Sequence, residues 1–478
     1  MSIKQQAVKG VLWNSIERFS AQGIQFILTI FIARILSPDD YGLIAMLSIF
    51  MAVAQVLVDS GFGNALIQKK ERSEADYSTA FYFNIIVSII IYLLLYFISP
   101  LIAGFYEQPQ LVRIARVFGF VLIINSFTIV QQARLTVLLD FKKQAIASLI
   151  SVVVSGIVGI YMAYRGYGVW ALVWQAVFAA FIRGVIFWIY AHWLPKYVFS
   201  MVSFRHMFSF GSRLMVASLL HTVYTNMYSL VVGKVFSAST LGYFNRAFTL
   251  GQFPVQNFSV IILKVLYPIQ CRFQDDVEKF NYLFVNYLRF SCFVLFPIMI
   301  GMSVLAEPLI SVLLTDKWLP AVPFLQIICW AGMWNPVMQI NVSVLDAKGR
   351  SDYHLQSEII KKILAFVILF VSLPFGIKMI CMGLVVYAFT DMVIIIGYTR
   401  RLTGIGYCRQ IKILLPVVLL STTMGLVAWL VASLFADTWL RLFAGTIAGI
   451  IWYLGGAWIF HFKEWEYGKK IIRNGSLG

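Results

Sequence analysis

The chain has 478 residues, of which 60% are hydrophobic and only 12% are charged, and its mean hydropathy is +0.82. A soluble domain carries about 25% charged residues, so this composition excludes the soluble classes of protein. The formal net charge of +17 would suit nucleic-acid binding in a soluble chain, but in a membrane chain it is first a topology signal.

Apolar stretches long enough to cross a bilayer follow one another along nearly the whole chain. A spanning helix needs about 20 predominantly apolar residues, and the connections between the stretches are short. The start of the chain lacks the pattern of a removable signal peptide, so we expect the first span itself to insert. We predict fourteen spans, near residues 8–36, 42–66, 78–104, 111–138, 145–164, 167–192, 212–232, 239–268, 280–305, 321–345, 354–374, 379–399, 412–434 and 439–461.

Lys and Arg are concentrated on one side of the predicted membrane. The terminal segments and the even-numbered connections hold clusters such as Lys69-Lys70, Lys142-Lys143 and Arg400-Arg401, whereas the odd-numbered connections hold few basic residues. The positive-inside rule therefore predicts that both termini are cytoplasmic. Most of the positive charge then lies near anionic headgroups, and no nucleic-acid partner is predicted.

The chain contains an internal repeat. Segment 27–42 aligns without gaps on segment 227–242, which pairs Gly42 with Gly242. Six spans per copy is an even number, so both copies enter the membrane from the same side and are related by an axis along its normal. We predict an all-α integral membrane protein with an N-terminal lobe (1–200), a C-terminal lobe (201–405) and an appended helix pair with a cytoplasmic tail (406–478).

Polar side chains recur at helical spacing in the opening spans of each copy. They are costly in hydrocarbon unless satisfied, so they usually face a bundle interior or a wet cavity. Small polar residues also bond across packed helices, and an Arg near a boundary also extends to the headgroups. We predict that a central cavity contains Asn14, Arg18, Gln22, Gln25, Arg213, Arg246, Gln252, Gln256 and Arg289.

Carboxylates are scarce in the predicted spans. Glu17 and Asp59 are the first candidates for coupling transport to protons or sodium. Glu17 could instead pair with the adjacent Arg18, and Asp59 could cap an unwound turn before Gly61.

Catalytic and metal-binding motifs are not found. The five cysteines have no CxxC spacing, and the chain has no HExxH helix, Gly-x-Ser-x-Gly elbow or Walker loop. We therefore predict no enzyme activity, metal or cofactor. Two parallel bundles of six helices instead indicate a transporter, in which one bundle rocks against the other.

Three segments resemble a known family. They are Ala33-Arg34-x-Leu36-x-Pro38-x-Asp40-Tyr41-Gly42, Asp59-x-Gly61-Phe62-Gly63-x-Ala65-Leu66-Ile67-Gln68 and Ala347-Lys348-Gly349-Arg350-Ser351-Asp352. In this order they are similar to the Wzx-like polysaccharide transporters of the multidrug/oligosaccharidyl-lipid/polysaccharide exporter superfamily, especially the branch of colanic and teichuronic acid exporters.

This resemblance implies two lobes that move a lipid-linked oligosaccharide on undecaprenyl pyrophosphate across the bacterial cytoplasmic membrane. It implies a cationic cavity, a groove for the lipid tail at spans 13 and 14, and membrane lipids and the polysaccharide polymerase or export machinery as partners. A cation-coupled multidrug exporter and a membrane-embedded polymerase or ligase stay open as alternatives. The first would need a more acidic cavity, and the second a large outer loop.

Overall fold

The computed structural model describes residues 20–462, apart from the side chain of Ile261, and this part of the chain is helical without a strand. Two short 3-10 helices, Asp316–Ala321 and Leu373–Phe375, interrupt the connections. The α-helices are α1 (Ser20–Ile35), α2 (Pro38–Asp59), α3 (Phe62–Gln68), α4 (Glu74–Tyr106), α5 (Gln110–Phe118), α6 (Phe120–Val137), α7 (Phe141–Tyr164), α8 (Val169–Ala191), α9 (Met201–Val235), α10 (Ala238–Arg272), α11 (Val277–Val304), α12 (Ala306–Leu314), α13 (Val322–Gly332), α14 (Asn335–Ala347), α15 (Ser351–Ser372), α16 (Ile377–Thr403), α17 (Tyr407–Ser433) and α18 (Thr438–Ile459).

Among the described residues, nine segments are long and apolar enough to cross a membrane, and two of these are the joined pairs α2 with α3 and α5 with α6. Four other predicted spans coincide with α9, α10, the pair α13 and α14, and α15. α1 covers the predicted first span from Ser20, and the start of that span lies outside the described residues. The predicted all-α membrane fold is therefore confirmed. α9 and α10 are long enough to span at 35 residues each, but polar residues lower their hydropathy.

The predicted tenth span is not one continuous helix. α13 ends at Gly332 and α14 begins at Asn335, with Pro336 in its first turn. Proline has no backbone N–H and fits the first turn of a helix better than its interior, which explains why a new helix starts here.

Packing divides the chain into two compact units, Met1–Gly242 and Tyr243–Gly478. In the first unit α9 packs against α2, α3 and α4. Its early turns belong to an apolar core in which Met207 is fully buried with Phe62, Phe81 and Trp193. In the second unit α17 packs on α11 and α18, and α16 packs on α13, α14 and α15. The predicted lobe limits at 200 and 405 stay predictions.

Within the first unit, the starts of α2 and α10 touch at the glycines that the sequence repeat pairs. A Cβ on Gly42 would lie 1.8 Å from the carbonyl oxygen of Ala238, and a Cβ on Gly242 would lie 2.0 Å from that of Pro38. Positions 38 and 238 are also equivalent in the repeat. The contact is thus reciprocal, as at an interface with two-fold symmetry, and supports the predicted parallel repeat.

The same two helices have matching N-caps. Ser37 Oγ accepts from the Asp40 N–H at 3.3 Å, and the Asp40 carboxylate accepts from the Ser37 N–H at 2.9 Å. Ser237 Oγ accepts from the Thr240 N–H at 3.2 Å. These bonds satisfy backbone donors that a helix start leaves unpaired, so the repeated Ser fixes where each helix begins.

Candidate functional site

The predicted cavity residues of the first span lie partly outside the described residues, since Asn14, Glu17 and Arg18 precede residue 20. On the described part of α1, Gln25 is exposed and Gln22 is half-buried. An exposed amide on an apolar helix is more favourable in contact with water than in contact with lipid. Gln25 therefore marks a face of α1 that meets water.

The first unit has a second polar face on α9. Arg213, Ala217, His221 and Thr225 follow each other at four-residue steps and are all exposed. The Thr225 hydroxyl donates to the His221 carbonyl at 3.0 Å, which satisfies its proton within the helix. Arg213 thus lies on an accessible helix face, consistent with its predicted role, which stays a prediction.

Asp59 ends a chain of hydrogen bonds that joins three helices of the first unit. Gln55 Nε2 donates to Asp59 Oδ1 at 3.0 Å, and Asn125 Nδ2 donates to Gln55 Oε1 at 2.9 Å. Arg183 Nη2 then donates to Asn125 Oδ1 at 3.2 Å. The two amides therefore connect a carboxylate on α2 with a guanidinium on α8. Asp59 itself is exposed, which in a spanning segment indicates contact with water.

Sequence reasoning missed Arg183. It is the single Arg within the apolar helix α8, and an ionisable residue inside a span is by default a candidate functional residue. That signal was present in the sequence. Its link to Asp59 was not, because the connection passes through residues of α2 and α6.

In the second unit the predicted stripe of α10 forms one accessible face. Thr249 and Gln256 are exposed, and Asn245 and Gln252 are half-buried. Thr249 Oγ1 donates to the Asn245 carbonyl at 2.8 Å. The exposed Lys264 lies about two turns beyond Gln256 on the same helix and was not predicted from the sequence. Its signal was a solitary lysine in an apolar run.

The two other predicted arginines of the second unit are less accessible. Arg246 is 7% exposed, and its guanidinium carbon lies 5.9 Å from the centroid of the Trp318 ring. This distance is at the outer limit of a cation–π contact. Arg289 on α11 is half-buried. Arg246 therefore has a clear packing role, and the predicted substrate contacts of both arginines stay predictions.

A buried ion cluster joins α15 to α16. Lys361 Nζ lies 2.5 Å from Glu358 Oε1 and 3.3 Å from Asp391 Oδ1, and the Lys361 side chain is 5% exposed. Buried charges in a membrane must be paired, so these three residues hold the two helices in one register. Sequence reasoning missed Lys361, because its partner Asp391 is on another helix.

An apolar groove lies between α11, α17 and α18, with a volume of about 370 Å³. Its walls include Pro297, Gly301, Met424, Ile450 and Tyr453. α17 and α18 are the predicted spans 13 and 14, for which the resemblance implied a groove for the lipid tail. Among the described residues, no group of three His, Cys, Asp or Glu side chains is arranged to hold a metal ion.

Comparison with known proteins decides the family. A family model described as "Polysaccharide biosynthesis protein" matches residues 31–323. The chain belongs to this family. This confirms the predicted resemblance to Wzx-like transporters and the prediction of a transporter instead of an enzyme.

Two curated relatives of this polysaccharide biosynthesis protein are similar over most of their length. The teichuronic acid biosynthesis protein TuaB of Bacillus subtilis is 28% identical, over 73% of each chain. The lipopolysaccharide biosynthesis protein WzxC of Escherichia coli is 24% identical, over 76% of this chain and 74% of its own.

Among solved structures, the lipid II flippase MurJ in an inward closed conformation has a TM-score of 0.77. It is 16% identical and is matched over 94% of this chain and 99% of its own. At this identity the similarity establishes the fold of the polysaccharide biosynthesis protein and not its substrate.

Proposed function

We propose that this protein is a flippase for a lipid-linked oligosaccharide, carried on undecaprenyl pyrophosphate, which it moves from the inner to the outer leaflet for surface polysaccharide synthesis. The observation that carries the proposal is the pairing, within the second unit, of a polar face on α10 with an apolar groove beside α17 and α18. One surface suits the sugars and phosphates of such a substrate, and the other suits its tail.

The difficult step in this transport is moving the polar headgroup through the hydrocarbon of the membrane. Each unpaired polar group is costly in hydrocarbon, and a pyrophosphate is much more costly than a hydroxyl. Amides donate to and accept from sugar hydroxyls, and an Arg guanidinium forms paired bonds to phosphate oxygens. The relatives TuaB and WzxC are named for teichuronic acid and lipopolysaccharide biosynthesis, which supports a polysaccharide precursor as substrate.

The proposed substrate-binding residues are those predicted from the sequence, and each group contributes one kind of contact. Amide side chains bind sugar hydroxyls, arginines bind pyrophosphate, and Glu17 and Asp59 couple transport to a cation. Alternating access of the two lobes exposes these residues to one side at a time. The proposed substrate-binding residues are Asn14, Arg18, Gln22, Gln25, Arg213, Arg246, Gln252, Gln256 and Arg289.

The proposed location is the bacterial cytoplasmic membrane with both termini inside, and the proposed partners are membrane lipids and the polymerase or export machinery. An inside-negative potential favours outward movement of an anion by about 2.3 kcal/mol per charge per 100 mV. This contribution would make cation coupling helpful but not essential.

The test is the leaflet distribution of lipid-linked oligosaccharide in cells with and without the protein. We expect the substrate to accumulate on the inner leaflet when the protein is absent, with loss of surface glycan. Arg18→Ala should insert normally and fail to restore export. Normal flipping with unpolymerised glycan outside would favour the polymerase or ligase, and no change in either quantity would favour a drug exporter.

A further inference from the structure

The second unit contains a pocket between α10 and α14 that the proposed site residues do not include. Its volume is about 420 Å³, within the usual range for small-molecule sites. Its polar lining consists of Lys264 and Tyr267 from α10, and of Gln339, Ser343 and Asp346 from α14. The pocket therefore combines one cation, one carboxylate and several neutral hydrogen-bonding groups.

Lys264 carries a positive charge in this pocket that no carboxylate of residues 20–462 balances by an ion pair. It lies eight residues before the end of α10 at Arg272, about 12 Å along the helix axis. Its side chain is exposed. A lysine inside a spanning helix is unfavourable unless it meets water or an anion. An anionic ligand would supply the missing partner.

The opposite wall is arranged for hydroxyl groups. Asp346 Oδ1 lies 2.6 Å from His354 Nδ1, which fixes the carboxylate and leaves its second oxygen as an acceptor. Ser343 Oγ lies 2.9 Å from Oε1 of the buried Gln270 and 2.8 Å from the Ile340 carbonyl oxygen, so its proton is used within the protein and its oxygen is left as an acceptor. The half-buried Gln339 amide and the exposed Tyr267 hydroxyl supply donors in the same pocket. Acceptors and donors therefore lie side by side, as sugar recognition requires.

We propose that this pocket binds the phosphate and the first sugar of the lipid-linked substrate. Lys264 binds the phosphate, and Asp346 and Gln339 bind hydroxyls of the sugar attached to it. A carboxylate in the same pocket as the lysine disfavours a bare phosphate and favours one that carries hydroxyls, so the pocket selects loaded over unloaded lipid. This inference rests on the proposed function and adds a specificity site to it.

The test measures ligand binding by the full chain in nanodiscs. The probes are a polyprenyl pyrophosphate that carries one sugar, the same lipid without sugar, and phosphatidylglycerol. Lys264→Gln should weaken both pyrophosphate lipids about 10- to 100-fold, since it removes a charge-assisted contact. Lys264→Arg should retain most of the affinity, and Lys412→Gln, an exposed lysine on α17 outside the pocket, should change nothing.

Asp346→Asn separates a sugar contact from a structural effect. It should weaken the sugar-bearing lipid several-fold and leave the sugar-free lipid unchanged or bound more tightly, because a repulsive carboxylate is lost. A misfolded variant would instead lose both ligands. Loss of both ligands in an Asp346→Asn protein that unfolds at the wild-type temperature would contradict the assignment of Asp346 to the sugar.

Two further outcomes distinguish this inference from the function on which it rests. If the wild-type chain binds the sugar-bearing lipid and Lys264→Gln binds it equally well, the pocket assignment is wrong and the proposed function stands. If phosphatidylglycerol competes as well as the sugar-bearing lipid, the pocket binds lipid phosphate in general and the selectivity is wrong. If the wild-type chain binds no pyrophosphate lipid, both proposals fail.

Discussion

At the scale of single residues, the structure gives Arg183 a partner that lies on another helix. The guanidinium reaches Asp59 through the amides of Asn125 and Gln55, so the two charges balance each other within one hydrogen-bonded chain. Removing one charge leaves the other uncompensated in a spanning segment, which costs more than the lost hydrogen bond alone.

We therefore expect Arg183→Gln to lower the stability of the solubilised protein by about 1–3 kcal/mol. Asp59→Asn should have a smaller effect because Asp59 is exposed. The double variant should be more stable than the sum of the single losses predicts, since it leaves no unbalanced charge. Thermal unfolding midpoints of the four proteins check this. Simple additivity would show that Arg183 and Asp59 do not interact.

The polar stripe of α10 and the chain around Arg183 differ in how far the sequence could predict them. Asn245, Thr249, Gln252 and Gln256 follow one helical period, so their common face follows from local spacing alone. Arg183 and Lys361 depend on partners from other helices, and no local pattern encodes which helices pack together. The sequence could therefore identify wet faces but not the ion networks that join helices.

At the scale of helices, the pairing of α15 with α16 depends on Lys361. This buried ammonium lies between Glu358 and Asp391, whereas the adjacent Lys362 is 40% exposed and lies 3.7 Å from Glu358. Lys361→Met leaves the buried Asp391 carboxylate without its cation and leaves the half-buried Glu358 with only the exposed Lys362. We expect it to destabilise the protein by about 3–5 kcal/mol.

Lys362→Met is the matched control, because it removes the same group from the next position on α15. An exposed pair contributes about 0–1 kcal/mol, so this variant should unfold almost like the wild type. Adding Glu358→Gln and Asp391→Asn to Lys361→Met should recover much of the loss. Equal unfolding temperatures for Lys361→Met and Lys362→Met would contradict a structural role for the cluster.

A second prediction at this scale concerns the close contact between the starts of α2 and α10. A Cβ at Gly42 would overlap the Ala238 carbonyl, whereas a Cβ at Gly104 in α4 would meet nothing within 4 Å. Gly42→Ala should destabilise the protein by about 1–3 kcal/mol or more, and Gly104→Ala should be neutral or stabilising by up to about 1 kcal/mol. Thermal unfolding compares the two, and a stable Gly42→Ala protein would show that this contact is not tight.

At the scale of the whole molecule, the all-α class and the order of the spans in residues 20–462 followed from the sequence, because successive apolar stretches of spanning length leave few alternatives. The sequence repeat predicts a lobe boundary near residue 200, and that boundary stays a prediction. Packing is a different criterion: α9 packs against α2, α3 and α4, and the compact units divide after Gly242. Sequence similarity reports ancestry, whereas packing reports which apolar faces meet.

The proposed function requires two surfaces at once, one for the headgroup and one for the tail. Gly301 on α11 offers a way to close the apolar groove alone, since it lines the groove and an added Cβ would meet only Met424 Cε at 3.8 Å. Gly301→Phe should fill much of the groove without a backbone clash. Gly301→Ala is the control, because one methyl group leaves the groove open.

We expect Gly301→Phe to lower the flipping rate of a long-chain substrate about tenfold or more, as a tail excluded from the groove loses apolar contact area. An analogue with a tail too short to reach the groove should move equally fast with both variants. Flipping of both analogues in proteoliposomes measures the difference. Equal rates for the long-chain substrate in Gly301→Phe and Gly301→Ala would mean that the tail stays in the lipid, and that headgroup contacts alone select the substrate.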